Sequence, residues 1–305
     1  MSTYFSRTAI LTLSLVFAAG AAHAANFQQQ VAADPHGEVD VSNIAGNIII
    51  TGWDRPSVSV TADVPSGSQR VKVSGGHGGR TVVCVTYNSG GCNGGGSFFH
   101  EDKSVRLELY VPSGSDIEAS AVSADITSRG VTGHQHLHTV SGDIEADLGS
   151  GNDEVKSVSG DIHLRGSGQD GTLQVSTVSG DLTVTNVAGE LEARTVNGDL
   201  RAGLSPARIA RLNTTSGSIE LSAQLSTGGT IEIETVSGGE KVDVAAPGGY
   251  AYEASTFSGD IHDCFGQPSD RSQYGPGDRL DGTRGTGNGH VRIRSLSGDI
   301  FLCDH

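Results

Sequence analysis

Three groups of side chains in this 305-residue chain have the types and spacing for chemistry: a recurring aspartate, a run of histidines and four cysteines. Asp125, Asp143, Asp161, Asp181, Asp199, Asp260 and Asp299 each follow a Gly or, once, an Ala. Carboxylates stacked in this way could share calcium, as they do in rolls built on a G-G-x-G-x-D-x phrase. Calcium takes about six to eight oxygens, and each turn here supplies one Asp and one Ser hydroxyl. The expectation is therefore structural: a Ser-Gly-Asp turn column in which Gly takes positive φ and Asp or Ser bonds nearby N–H groups.

His134, His136 and His138 occupy alternate positions of one short segment. If Leu137 points inward, all three face out, and such a pair could chelate zinc or copper with help from Asp153 or Glu154. They are the candidate metal ligands, against the alternative of solvated surface histidines. No cofactor is expected, with calcium or zinc as the alternatives. For catalysis there is no G-x-S-x-G, no H-E-x-x-H and no phosphate loop, since residues 75–79 and 90–96 are glycine-rich without G-K-[ST]. Glu145, Asp147, Glu232 and Glu234 follow the repeat and form no cleft-like cluster, so an enzyme is not expected.

The elements that must position these groups are repeats. A phrase such as Val140-Ser141-Gly142-Asp143-Ile144 returns ten times, centred on Gly46, Ala124, Gly142, Gly160, Gly180, Gly198, Gly217, Gly238, Gly259 and Gly298. From Ala124 to Gly259 the spacing is 18 to 21 residues. With that residue as position zero, +2 is Ile or Leu except at Glu240, and +4 is mostly aliphatic except at Ser128 and Asp263. Position −5 is always aliphatic, −7 mostly so except at Gln135 and Asp153, and −2 is mostly Val. Alternation with period two places +2 with +4, and −5 with −7, on one face of a strand. A unit this short buries a core only by stacking on its neighbours. The predicted fold is all-β: a parallel β-solenoid with two short strands per 18–21-residue coil.

The organisation expected is a leader at 1–24, a first coil at 25–52, an antiparallel β insert or cap at 53–112, and the main solenoid at 113–305 with a surface loop at 266–289. Arg7, the apolar run from Ile10 to Ala19 and Ala22-His23-Ala24 read as a secretory signal peptide with an A-x-A cleavage site. No stretch reaches the length of a membrane span. The net charge of −15 disfavours nucleic acid and anionic lipid. It also keeps an exported, strand-rich surface from associating edge to edge.

Cysteine register selects among three possible pairings. Cys264 and Cys303 both stand at +5 in neighbouring coils, where stacked Cα atoms come within about 5 Å; Cys84–Cys92 then closes a local glycine-rich loop. No C-x-x-C metal spacing occurs.

Gly52-Trp53-Asp54-Arg55-Pro56, the strand Val58–Val60, Val122-Ser123-Ala124-Asp125-Ile126, the repeated T-V-S-G-D-I phrase, Phe265-Gly266 and Gly275-Pro276-Gly277 together resemble a known family. It is the bacterial β-strand-repeat "putative adhesin" domain of unknown function. The resemblance spans nearly the whole chain after the leader. It implies a β-solenoid of the cell envelope and no agreed activity. The expectation is an exported, non-enzymatic structural or adhesion module in the periplasm or at the cell surface, meeting an envelope protein or glycan. A metal-binding module and a carbohydrate-active β-helix enzyme are the alternatives.

Overall fold

A computed structural model describes residues 25–65, 69–75, 79–87, 104–267, 269–271 and 277–304. The expected leader and Cys92 lie outside them. The described residues hold 22 strands and no helix.

The repeat is realised as coils stacked in parallel, one over another. Ile48 pairs with Ile126, and the column continues through Ile144, Ile162, Leu182, Leu200 and Ile219. The −5 column runs Val41, Ala119, Leu137, Val155, Val175, Ala193, Leu212 and Ile233 in the same way. Every one of these side chains is buried, and they form one continuous core. Strands of four residues, such as Ile144–Asp147 and Ile162–Arg165, are thus held by neighbours above and below rather than by their own length.

The turn residues explain the glycine of the phrase. From Gly160 to Gly298 these glycines take φ of +146° to +158°, a region that favours glycine. Stacking adds a second requirement, because a Cβ on Gly180 would lie 2.2 Å from the Gly160 carbonyl oxygen.

Position −2 behaves differently from the other apolar columns. Val122, Val140, Val158, Val178, Val196, Val236, Leu296 and Phe257 point outward, with exposures from 37% to 55%. Their strand continues to the corner, where period two turns −2 away from the interior that −5 and −3 share. The −3 residues, Thr139, Ser157, Thr177, Thr195, Thr214, Thr235 and Ser295, are buried instead. The Thr139 hydroxyl donates to the Ala124 carbonyl at 3.2 Å, tying one coil to the turn of another.

Three expected boundaries change. Residues 25–52 are not one coil: Ala25–Ala32 pairs antiparallel with Ser57–Val64, and the coil proper is Glu38–Trp53. The 53–112 insert is not wholly antiparallel. Arg80–Tyr87 and Val105–Pro112 pair in parallel with Glu38–Trp53 and add a rung without the repeat phrase. Among the described residues of this insert, Ser57–Val64 and Gln69–Ser74 pair antiparallel and close that end together with Ala25–Ala32. The 266–289 segment is not simply a loop, because Asp278–Arg284 pairs antiparallel with Tyr250–Ser258 and caps the other end.

Spatial order also departs from sequence order. Gly289–Ser297 lies between Ile219–Ser237 and Tyr250–Ser258, in parallel register with both. Ile300–Cys303 lies likewise between Glu240–Ala245 and Ile261–Asp263. The last coil of the chain is therefore the penultimate rung of the stack.

Candidate functional site

The Asp column is a hydrogen-bonded ladder. Asp125 Oδ1 accepts the backbone N–H of Asp143 at 3.0 Å, Asp143 that of Asp161 at 2.9 Å, and Asp161 that of Asp181 at 2.8 Å. Asp181 accepts from Asp199 and Asp199 from Ser218, both at 2.9 Å. Asp299 accepts from Asp260 at 2.9 Å, following the spatial order of the rungs. The nearby N–H groups that the Asp side chains accept from lie on the neighbouring turn of the stack. The N–H after the glycine has no partner within its own turn and is satisfied by the neighbouring carboxylate. With one oxygen engaged, each Asp is a poor member of a shared cation shell. Among the described residues no three His, Cys, Asp or Glu side chains converge as metal ligands.

The histidines fall on the outer face as the inward Leu137 requires, but they are separately engaged. His134 Nδ1 accepts the Asn152 N–H at 2.9 Å. His136 Nδ1 lies 3.7 Å from Glu154 Oε2, and Glu154 is held below the usual carboxylate range first by its hydrogen bond from Lys156. Burial pushes the His138 imidazole below its ordinary value. Asp153, suggested as a helper ligand, points into the protein instead.

That inward turn joins the two columns' polar exceptions. Gln135 and Asp153, the polar members of the −7 column, are buried together with Ser128 of the +4 column. Ser128 Oγ donates to Gln135 Oε1 at 2.6 Å, Gln135 Nε2 donates to the Asp147 carbonyl at 2.8 Å, and the Gln135 N–H donates to Asp153 Oδ1 at 2.8 Å. Burial raises the Asp153 carboxyl, and the Gln135 hydrogen bond opposes that rise. Three deviations in adjacent coils form one satisfied polar patch.

Glu240, the exception in the +2 column, has no such set of partners. It is fully buried, stacked between Ile219 and Ile300. The Thr235 and Ser295 hydroxyls face it, yet neither carboxylate oxygen is in hydrogen-bonding geometry. Desolvation pushes its pKa up to about 7.

Cys264 and Cys303 form a disulfide with a Cα–Cα distance of 4.9 Å, joining the terminal rung to the intercalated one. Cys84 is buried on Arg80–Tyr87; its proposed partner Cys92 is outside the described residues. The G-W-D-R-P motif is a structural corner. Trp53 Nε1 donates to the Ser57 carbonyl at 2.8 Å, its ring lies 5.4 Å from that of Tyr110, and the Arg55 guanidinium sits 5.1 Å over it.

The parallel ladder, its glycine-lined corners and this tryptophan turn coincide with a family match: the sequence profile of Toastrack DUF4097 matches residues 36–247. The chain belongs to the Toastrack DUF4097 family. The Toastrack match stops ahead of the intercalated rung and the capping strand Asp278–Arg284. No curated protein matches the chain. A "putative adhesin" structure from Bacteroides fragilis is 10% identical with a TM-score of 0.39, covering 92% of this chain and 97% of that one. One from Parabacteroides distasonis is 12% identical with a TM-score of 0.38 and the same coverage. A "putative cell adhesion protein" from Clostridium sporogenes is 10% identical with a TM-score of 0.20, covering 92% and 100%. No helix of the described residues is long and apolar enough to cross a membrane.

Proposed function

We propose that this Toastrack chain is a parallel β-solenoid exported to the bacterial envelope, where it acts as a non-enzymatic interaction module for an envelope protein or glycan. The observation that carries this reading is the use made of the repeated aspartates. The column with the most regular chemistry is committed, rung by rung, to backbone N–H groups. What remains outward is a long, repetitive surface with ion pairs such as Arg129–Glu145 and Lys241–Glu220, suited to extended contact. Export is supported by the sequence alone: Arg7, the apolar run from Ile10 to Ala19 and the A-x-A site at Ala22-His23-Ala24. Whether the compartment is the periplasm or the cell surface belongs to the same proposal, as does the Cys84–Cys92 bridge.

Two measurements test it. Amino-terminal sequencing of the chain from the envelope fraction is expected to begin at Ala25; an uncleaved chain confined to the cytoplasm would sink the export reading. Purified chain is expected to co-sediment saturably with one isolated envelope glycan or protein fraction, leaving it chemically intact. Release of cleaved oligosaccharide would replace the reading with the carbohydrate-active alternative.

A further inference from the structure

The outward −2 column forms an apolar ridge along one corner of the stack. In spatial order it runs Val122, Val140, Val158, Val178, Val196, Thr215, Val236, Leu296 and Phe257, one residue per rung. At about 4.8 Å per rung the strip is roughly 40 Å long. Contiguous exposed apolar strips of this kind mark interaction sites, and two rows flank this one. On one side stands the −4 row, and on the other the +1 Asp row.

These rows are complementary at several rungs and neutral at others, where Ser120, Ser176 and Ser255 stand at −4 beside Asp125, Asp181 and Asp260. Where −4 is Lys156, Arg194 or Arg294, +1 is Asp161, Asp199 or Asp299. Where −4 is acidic, at Glu234, +1 is Gly239. Within one chain Lys156, Arg194 and Arg294 do not pair with these aspartates, although Arg201 donates to Asp199 Oδ2 at 3.1 Å and lies 3.9 Å from Asp181. Lys156 pairs with Glu154, Arg194 with Glu192, and Arg294 reaches Glu234 at 3.9 Å.

We infer that the ridge is a self-association surface, on which a second copy of this chain packs ridge to ridge with the two stacks parallel. A two-fold axis along the stack carries the −4 row of each copy opposite the +1 row of the other, at the same rung. Lys156 then faces Asp161, Arg194 faces Asp199, Arg294 faces Asp299, and Glu234 faces the rung that lacks a carboxylate. An antiparallel two-fold would set the Asp columns against each other. The shared rung spacing is a second reason for a like partner, since only another stack of rungs presents apolar side chains at the same interval. The interface is isologous and narrow, so the dimer is a weak, concentration-dependent one. The inference is independent of what the envelope module binds.

Sedimentation equilibrium on the exported full chain is the test, with a dimer expected at high concentration. Val158→Lys combined with Val196→Lys should raise the dissociation constant at least about tenfold while leaving the thermal midpoint nearly unchanged, because both side chains are already half exposed. Lys156→Glu with Arg194→Glu should weaken it comparably. Val140→Cys should be cross-linked to its counterpart by a short bis-maleimide. A chain that stays monomeric at every concentration overturns the inference, as do ridge variants that dimerise undiminished. Cross-linking only between a Val140→Cys chain and a Leu296→Cys chain would show an antiparallel pair and overturn it equally.

Discussion

The coils between Ala124 and Gly217 and the coils after Gly238 are built from the same phrase, yet they are held together differently. In the first region, sequence neighbours are spatial neighbours, the +2 column is wholly aliphatic, and an Asp of each turn bonds the next. In the second, the chain skips a rung, returns to fill it, and leaves a lone carboxyl in the core. Regular stacking needs only local closure, whereas the terminal rungs depend on contacts formed after the capping strand Asp278–Arg284 is in place. The difference assigns stability to the middle and conditional stability to the end.

The largest effect tests the middle. Leu182→Ala removes a fully buried side chain stacked between Ile162 and Leu200, with an expected loss of about 2–5 kcal/mol. Because nearest-neighbour coupling dominates a stacked array, hydrogen exchange should accelerate most in the rungs on either side. Acceleration spread evenly over the chain would contradict this picture.

Next comes the staple at the end. Removing the Cys264–Cys303 bond, with a sequence separation of 39, frees a loop whose closure is worth up to ~4 kcal/mol. Replacing both residues by Ser should therefore open Gly289–Cys303 to exchange while the rungs from Asp125 to Asp199 keep their protection. Equal loss in both regions would erase the contrast.

Glu240 gives the same region a pH dependence. Its folded pKa is about 7, above an ordinary Glu near 4.3, so the folded state holds its proton longer than the unfolded state does. Its contribution is fully present below about pH 4.3, falls as pH rises through about 7, and is flat above that, a change of roughly 3–4 kcal/mol. Glu240→Gln should flatten the thermal midpoint across this window, and Glu240→Leu should raise it at pH 8. A wild-type midpoint that does not fall between pH 5 and 8 would refute the assignment.

Much of this architecture was legible because stacking imposes a strict register on side-chain type. Ile144, Ile162 and Leu182 announce their column through period two alone. The extra rung from Arg80–Tyr87 and Val105–Pro112 was not legible, since no Val-Ser-Gly-Asp-Ile phrase joins its two strands. Nor was the intercalation of Gly289–Cys303, because a column fixes which residues stack but not which coil lies next. The outward ridge was hidden by composition: Val at −2 reads as core, and only the corner geometry turns it to solvent. The polar exceptions were visible as exceptions, but that Ser128, Gln135 and Asp153 compensate one another depends on three dimensions.

The smallest effect separates the Asp ladder from simple surface charge. Asp161 Oδ1 accepts the Asp181 N–H, so Asp161→Ala leaves that donor to water and should destabilise by about 1 kcal/mol. Asp161→Asn keeps a carbonyl oxygen in the same place and removes one charge from a column of like charges. If the column is a backbone ladder, Asn should restore nearly all the stability lost in Ala. If the column served to hold a cation, Asn would behave like Ala, and added calcium would stabilise the wild type but neither variant. The same pair of substitutions at Asp299, beside the intercalated rung, should cost more than at Asp161 when the Cys264–Cys303 bond is absent. There the Asp299–Asp260 hydrogen bond helps hold a rung that stacks in parallel on one side only, whereas Asp161 is supported by coils on both sides.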